Sequence, residues 1–223
     1  MFNEWFALLF VIVNFTIFLI MYRLFGRVGL FVWIGAATVL ANLQVVKTVE
    51  LLGLTATLGN TMYGSAFLAT DLLNERYGKE DAKKAVWLGF FTLLMMTIIM
   101  QMVLLFEPAS TDFAQEPMEQ LFGLLPRIAA GSLAAYLISQ MVDVHIFSYL
   151  QKKFPKDSQF WIRNNASTMI SQLIDTLIFT SIAFLGTYPT DVWLQIFLTT
   201  YILKWIVALL DTPFGYLAKR FPK

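Results

Sequence analysis

Apolar stretches of about 20 residues recur along the chain, and each is long enough to cross the hydrocarbon core of a bilayer as a helix. We predict seven such stretches, near residues 5–25, 30–50, 55–74, 85–106, 126–150, 164–186 and 192–217. Hydrophobic residues make up 58% of the 223 residues and charged residues only 14%, whereas about a quarter of a typical soluble protein is charged. The sequence therefore predicts an all-α, polytopic transmembrane bundle in which residues 1–223 form a single domain.

The third stretch is the least apolar of the seven. Its small and polar residues are Gly59, Asn60, Gly64, Ser65, Thr70 and Asp71. Because polar groups are costly against lipid, this segment is expected to be shielded by neighbouring helices, and a re-entrant or interfacial path is the alternative.

The links between the stretches alternate in charge. Basic residues follow the first, third, fifth and seventh stretches: Arg23, Arg27, Arg76, Lys79, Lys83, Lys84, Lys152, Lys153, Lys156, Arg163, Lys219, Arg220 and Lys223. The link at 107–125 carries four acidic residues and no Lys or Arg. Because cytoplasmic loops are enriched in Lys and Arg, this pattern predicts an outside N-terminus and a cytoplasmic C-terminus. The basic clusters are thereby explained without a nucleic-acid partner.

Two of the stretches carry the same polar motif, SQMVDVHIF at 139–147 and SQLIDTLIF at 171–179. Gln140 and Asp143 are three residues apart, as are Gln172 and Asp175, so each amide and acid share one helix face. A carboxylate at mid-membrane depth costs roughly 2.5–3.5 kcal/mol on insertion scales. Lys204 falls at similar depth and is expected to pair with Asp175 or Asp143. The motif predicts a binding site for a polar solute inside the bundle.

Further polar residues are candidates for the same site or for conformational coupling. The substrate-contact candidates are Asn42, Lys47 and Asp71, and the coupling or gating candidates are Glu75, Arg76, Lys204 and Asp211. Lys47 is spaced for a helical ion pair with Glu50, and an interfacial position for the lysine is the alternative. Glu75 and Arg76 can equally form a local charge cluster at a solvated helix end.

The residues give little support to catalysis. The chain has no cysteine and one histidine, His145, so thiolate metal sites are excluded and a serine–histidine arrangement is hard to assemble. We predict no enzyme activity, no metal and no cofactor, with an intramembrane aspartyl-type enzyme as a weak alternative. No GxxxxGK[ST] loop is present, so ATP hydrolysis would need a separate protein.

Long runs of the sequence resemble the queuosine precursor transporter family, also called the vitamin uptake transporter family. The runs are TDLLNERYGK at 70–79, SQMVDVHIF at 139–147, RNNASTMISQLIDTLIF at 163–179 and LLDTP at 209–213. The resemblance implies a bacterial inner-membrane importer of the deazapurines preQ0 and preQ1, used to make the tRNA base queuosine. It also implies a similarity, over the last six helices, to the substrate-binding subunits of energy-coupling-factor transporters.

The chemistry of such a ligand agrees with the polar motif. A deazaguanine presents N1–H and an amine that a carboxylate can accept, and an O6 to which Gln140 or Gln172 can donate. The main alternative is a binding subunit for another small vitamin or nucleobase that needs a separate ATPase. The energy source, the choice between preQ0 and preQ1, and the oligomeric state, including a homo-oligomer, are left open by the sequence.

Overall fold

A computed structural model describes residues 2–45, 47–51, 54–123, 125–186 and 189–222, with the backbone alone at 48, 51, 54–57 and 125–129. Seven α-helices and one short hairpin account for nearly all of it. In chain order the elements are α1 (Phe2–Gln44), β1 (Thr48–Leu51), β2 (Leu54–Thr57), α2 (Gly59–Tyr77), α3 (Lys79–Val103), α4 (Gln115–Phe122), α5 (Leu125–Lys153), a 3₁₀ turn (Asp157–Gln159), α6 (Phe160–Phe184) and α7 (Thr190–Lys219).

Helix α1 is folded into two arms at Gly26. The backbone there has φ 52° and ψ −133°, outside the helical region, and a positive φ of this kind favours glycine, which has no Cβ. The amide Nδ2 of Asn3, at the start of the first arm, donates to the backbone carbonyl of Glu50 beyond the second arm, at 3.2 Å. The two arms therefore run in opposite directions and correspond to the first two predicted stretches.

The stretch between the second arm and α2 differs from the prediction. We expected a helix to continue to residue 50 and another to begin at 55, but residues 48–57 form an antiparallel hairpin with Thr48 opposite Thr57 and Leu51 opposite Leu54. The strands are rich in β-branched residues, which favour extended backbone. The helical spacing predicted between Lys47 and Glu50 is therefore wrong, because α1 ends at Gln44.

Helix α2 lies in the interior of the bundle. Nearly all of its residues from Gly59 to Asn74 are buried, which confirms that this weakly apolar segment is shielded by its neighbours. Within the described part of the chain, five other helices are long and apolar enough to cross a membrane: Phe2–Gln44, Lys79–Val103, Ala130–Lys153, Asp157–Phe184 and Thr190–Lys219. Together they confirm the prediction of a polytopic helical bundle.

Many basic residues of the links meet at one end of the bundle. Arg27, just after the α1 fold, pairs with Asp81 at the start of α3 at 2.5 Å. Glu75, near the end of α2, pairs with Arg163 near the start of α6 and with Lys219 at the end of α7. We call this end, which holds Arg27, Glu75, Arg163 and Lys219, the basic end. Its composition agrees with the alternation read from the sequence.

The bundle is apolar outside and partly polar inside. Large apolar side chains such as Ile17, Phe91 and Leu198 are exposed, whereas Asp71, Gln140 and Asp143 are fully buried. A soluble protein has the opposite tendency, since charged and amide side chains there are mostly exposed. The outer surface is suited to lipid, and the interior is the place to look for a polar site.

Candidate functional site

The two Ser-Gln-x-x-Asp motifs lie opposite each other on the antiparallel helices α5 and α6. The Ser139 hydroxyl of α5 donates to Asp175 of α6 at 3.1 Å, and the Ser171 hydroxyl of α6 donates to Asp143 of α5 at 2.9 Å. Each motif thus supplies a hydroxyl to the carboxylate of the other. The reciprocal bonds bring the two predicted amide–acid faces together in one buried layer.

Asp175 is neutralised by a lysine from α7. Its second carboxylate oxygen forms an ion pair with Lys204, and both side chains are almost completely buried. The ammonium group also lies 5.4 Å from the centre of the Tyr63 ring of α2, within the range of a cation–π interaction. The predicted ion pair of Lys204 is confirmed, and Asp175 is its partner.

Asp143 has acidic neighbours instead. Asp71 of α2 faces it, and Asp211 of α7 lies within electrostatic range of both carboxyls. A hydrogen bond of 3.0 Å from Asn74 to the backbone carbonyl of Val144 fixes α2 against α5 at this level. Asn164 of α6 donates to one oxygen of Asp211 at 2.9 Å. We call Asp71, Asp143 and Asp211 the carboxyl cluster.

Several buried polar atoms in this region have no hydrogen-bond partner among the described residues. They are both amide atoms of Gln140, the amide oxygen of Gln172 and one oxygen of Asp211. The buried carboxyl of Asp71 has no partner among the described residues other than the carboxyl of Asp143. A buried polar group without a partner costs roughly 1–3 kcal/mol. A site that carries several such groups side by side is suited to a ligand rich in hydrogen-bond donors and acceptors.

A second charged network closes the basic end. One oxygen of Glu75 accepts from Arg163 at 2.5 Å and from Lys219 at 2.6 Å, and the other accepts from Gln151 at 3.1 Å. Lys219 also donates to Asp157 at 2.8 Å. The network ties the ends of α2, α5, α6 and α7 together.

The remaining predicted residues lie apart from the carboxyl cluster. Arg76 donates to the backbone carbonyls of Ala218 and Phe221 at 3.1 and 2.7 Å, so it holds the end of the chain and does not pair with Glu75. Asn42 is half-buried and donates to the carbonyl of Thr38. Lys47 is exposed beyond the end of α1.

Sequence reasoning overlooked two residues of this region. Arg163 was counted only as a topological charge, although it is almost fully buried against Glu75. Asn164, the partner of Asp211, belongs to the same RNN run. The sequence did contain a signal for them, because the RNN run places one basic and two amide side chains near the start of an otherwise apolar helix. No group of three or more His, Cys, Asp or Glu residues within the described ranges has the arrangement of a metal site.

Comparison with known proteins decides the family. The model of the family described as "Putative vitamin uptake transporter" matches residues 57–218, which is most of the chain. The chain belongs to this family. A relative from Bacillus subtilis (strain 168), named "Probable queuosine precursor transporter", is 59% identical over 220 residues, covering 99% of this chain and 96% of the relative.

Two further relatives match over shorter ranges. The "Probable queuosine precursor transporter" of Haemophilus influenzae is 34% identical over 97 residues, which is 44% of this chain and 40% of the relative. The "Queuosine precursor transporter" of Escherichia coli (strain K12) is 28% identical over 129 residues, 58% of this chain and 55% of the relative. No solved structure matches, so the similarity to energy-coupling-factor subunits stays a prediction. The family and the apolar helices identify a multi-pass membrane transporter.

Proposed function

We propose that this protein imports the queuosine precursors preQ0 (7-cyano-7-deazaguanine) and preQ1 (7-aminomethyl-7-deazaguanine) across the bacterial inner membrane. The names of three relatives support a queuosine precursor as cargo, and the relative from Bacillus subtilis matches this chain over almost its whole length. The N-terminus lies outside and the basic end lies in the cytoplasm, where the Lys and Arg residues of the links belong.

The observation that carries the proposed recognition is Gln140. Its side chain is fully buried, and both its amide nitrogen and its amide oxygen lack a partner among the described residues. A guanine-like edge presents an acceptor at O6 beside a donor at N1–H, so one amide can donate to O6 and accept from N1–H at the same time. The free oxygen of Gln172 is suited to accept from the exocyclic amine of the same ligand.

The two aspartates of the motifs take different roles in this proposal. Both oxygens of Asp175 are already engaged, by Ser139 and by Lys204, so Asp175 positions the site and couples it to α7. Asp143 has no cation and contacts the carboxyl of Asp71, and these two acids face the ligand together. Asn42, half-buried on α1 near the Tyr63 ring, borders the site, whereas Lys47 is too exposed to join it.

The Glu75 network supplies the gate at the cytoplasmic side. Glu75, Arg163 and Lys219 join helices α2, α6 and α7 directly, and Arg76 attaches the C-terminal residues to α2. Release of a solute toward the cytoplasm requires these helix ends to separate. Ion pairs between helix ends are elements whose formation and breakage can accompany the alternation between two conformations.

Uptake of labelled preQ0 and preQ1 by cells unable to make either compound tests the function. We expect accumulation only when the protein is present, with competition by guanine-like compounds and none by adenine-like ones, because adenine has a donor where guanine has O6. Gln140→Met should weaken binding of the deazaguanine roughly fivefold to a hundredfold through the lost hydrogen bonds, and uptake should fall with it. The control is Gln195→Met, at an exposed position of α7. Equal uptake by Gln140→Met, or equal competition by adenine, would contradict the proposed recognition.

A further inference from the structure

The reciprocal arrangement of α5 and α6 is symmetric in its hydroxyl contacts but not in its charges. Asp143 and Asp175 each accept one hydroxyl from the opposite helix, at 2.9 and 3.1 Å. Asp175 also receives the ammonium group of Lys204. Asp143 faces the carboxyl of Asp71 in place of a lysine, and Asp211 lies within electrostatic range. The same local motif is therefore completed by a cation at one position and by two further acids at the other.

The basic side chains on the helices around the carboxyl cluster are engaged elsewhere. Arg76, five residues after Asp71, donates to the backbone carbonyls of Ala218 and Phe221. Lys204, seven residues before Asp211, pairs with Asp175. Arg163, next to Asn164, pairs with Glu75, as does Lys219. Among the described residues, the ion pairs thus leave the carboxyl cluster without a cationic partner. Three buried acids that share one region favour either neutral forms or an added positive charge.

The buried carboxyl oxygens of the cluster are hydrogen-bond acceptors. The carboxyls of Asp71 and Asp143 are within hydrogen-bonding reach of each other. Apart from that contact, both oxygens of Asp71 are buried without a partner among the described residues, as is one oxygen of Asp211. Gln140, one helical turn before Asp143 and on the same face, is also fully buried with no partner for either amide atom. An ammonium group has three N–H donors and no acceptor. The three carboxyls offer acceptors from three different helices, α2, α5 and α7.

We propose that Asp71, Asp143 and Asp211 form a subsite for the ammonium group of a ligand, which takes at Asp143 the part that Lys204 plays at Asp175. This inference rests on the proposed function and makes it more specific. The carrier of the positive charge is the aminomethyl substituent of preQ1, whereas the cyano group of preQ0 is neutral and has no N–H to donate. The protein therefore selects the cationic deazaguanine over the neutral one.

Binding of both compounds to the purified protein in detergent, measured by calorimetry, tests the subsite. We expect the aminomethyl compound to bind the unsubstituted protein roughly tenfold to a hundredfold more tightly than the cyano compound. Asp71→Asn should abolish most of this preference, because it weakens only the aminomethyl compound. Asp191→Asn, at an exposed acid of α7, is the matched control and should leave the preference intact.

A second set of binding measurements, in buffer where choline replaces sodium, distinguishes the ammonium group of the ligand from an inorganic cation. If the cluster holds an inorganic cation instead, binding of the cyano compound will depend on sodium and on Asp71, and the proposal is wrong. Equal affinity of the unsubstituted protein for both compounds would also overturn it. If neither compound binds, the proposed function itself fails. Thermal unfolding verifies that Asp71→Asn is folded, and Asp211→Asn serves as the second variant if it is not.

Discussion

Replacement of Lys204 by Met tests the buried ion pair at the centre of the site. The Lys204 and Asp175 side chains are 7% and 5% exposed, so the substitution leaves a buried carboxylate with only the Ser139 hydroxyl as donor. Removal of one partner of a buried ion pair costs about 3–5 kcal/mol. In a protein of this size each kcal/mol corresponds to about 2–4 °C in Tm. We therefore expect Lys204→Met to lower the Tm by on the order of 10 °C.

A second substitution identifies the partner. In the Lys204→Met background, Asp175→Asn removes the orphaned charge and should restore a large part of the lost stability, whereas Asp143→Asn should restore none. Thermal unfolding in detergent measures all the variants under one condition. Lys84→Met, at an exposed position near the start of α3, controls for the loss of a lysine. If the losses of Lys204→Met and Asp175→Asn simply add, the direct pairing is refuted.

Further predictions concern topology, packing and the basic end. The chain has no cysteine, so single cysteines can be introduced at the exposed positions Asn3, Thr111 and Pro222. An impermeant thiol reagent applied to intact cells should label the cysteines at 3 and 111 and should not label the one at 222. Gly215→Ala should lower the stability by about 1–3 kcal/mol in the unfolding assay, because the new Cβ would lie 2.6 Å from the Phe160 ring. Gly35→Ala is the control and should be tolerated, because its Cβ would meet neighbours at 3.5 Å. Glu75→Gln should cost about 3–5 kcal/mol, because Arg163 is almost fully buried against it; an unchanged Tm would show that this ion pair does not hold the helix ends.

The sequence predicted the helices well because the bilayer imposes a strong and simple constraint. A helix that crosses lipid needs a long apolar run, and such runs are visible without any knowledge of the fold. The fold of α1 at Gly26 was predicted only as a break between two stretches, since a positive φ is not readable from one glycine. The hairpin at 48–57 was missed because its residues are as apolar as a helix end, and short apolar segments do not distinguish strand from helix.

The candidate site was predictable only where its residues are close in sequence. The spacing of Gln140 with Asp143 places them on one helix face in any helix, and the structure retains that relation. The partner of Lys204 depends on which helices pack together, so two aspartates remained equivalent until α5, α6 and α7 were seen in contact. For the same reason the local interpretation of Glu75 with its neighbour Arg76 was replaced by a pairing with Arg163, which is 88 residues away.

The same motif on two helices does not imply the same role for both. Ser139 and Ser171 give Asp175 and Asp143 nearly the same hydrogen bond, so any difference between the two aspartates must come from the helices that flank them. Helix α7 brings a lysine to Asp175, and α2 brings an acid to Asp143. A carboxylate that already has a cation contributes to the stability of the bundle, whereas one that faces other acids gains most from a cation that arrives with a ligand. The proposed division between a structural aspartate and a ligand-facing one therefore rests on the packing of α2 and α7.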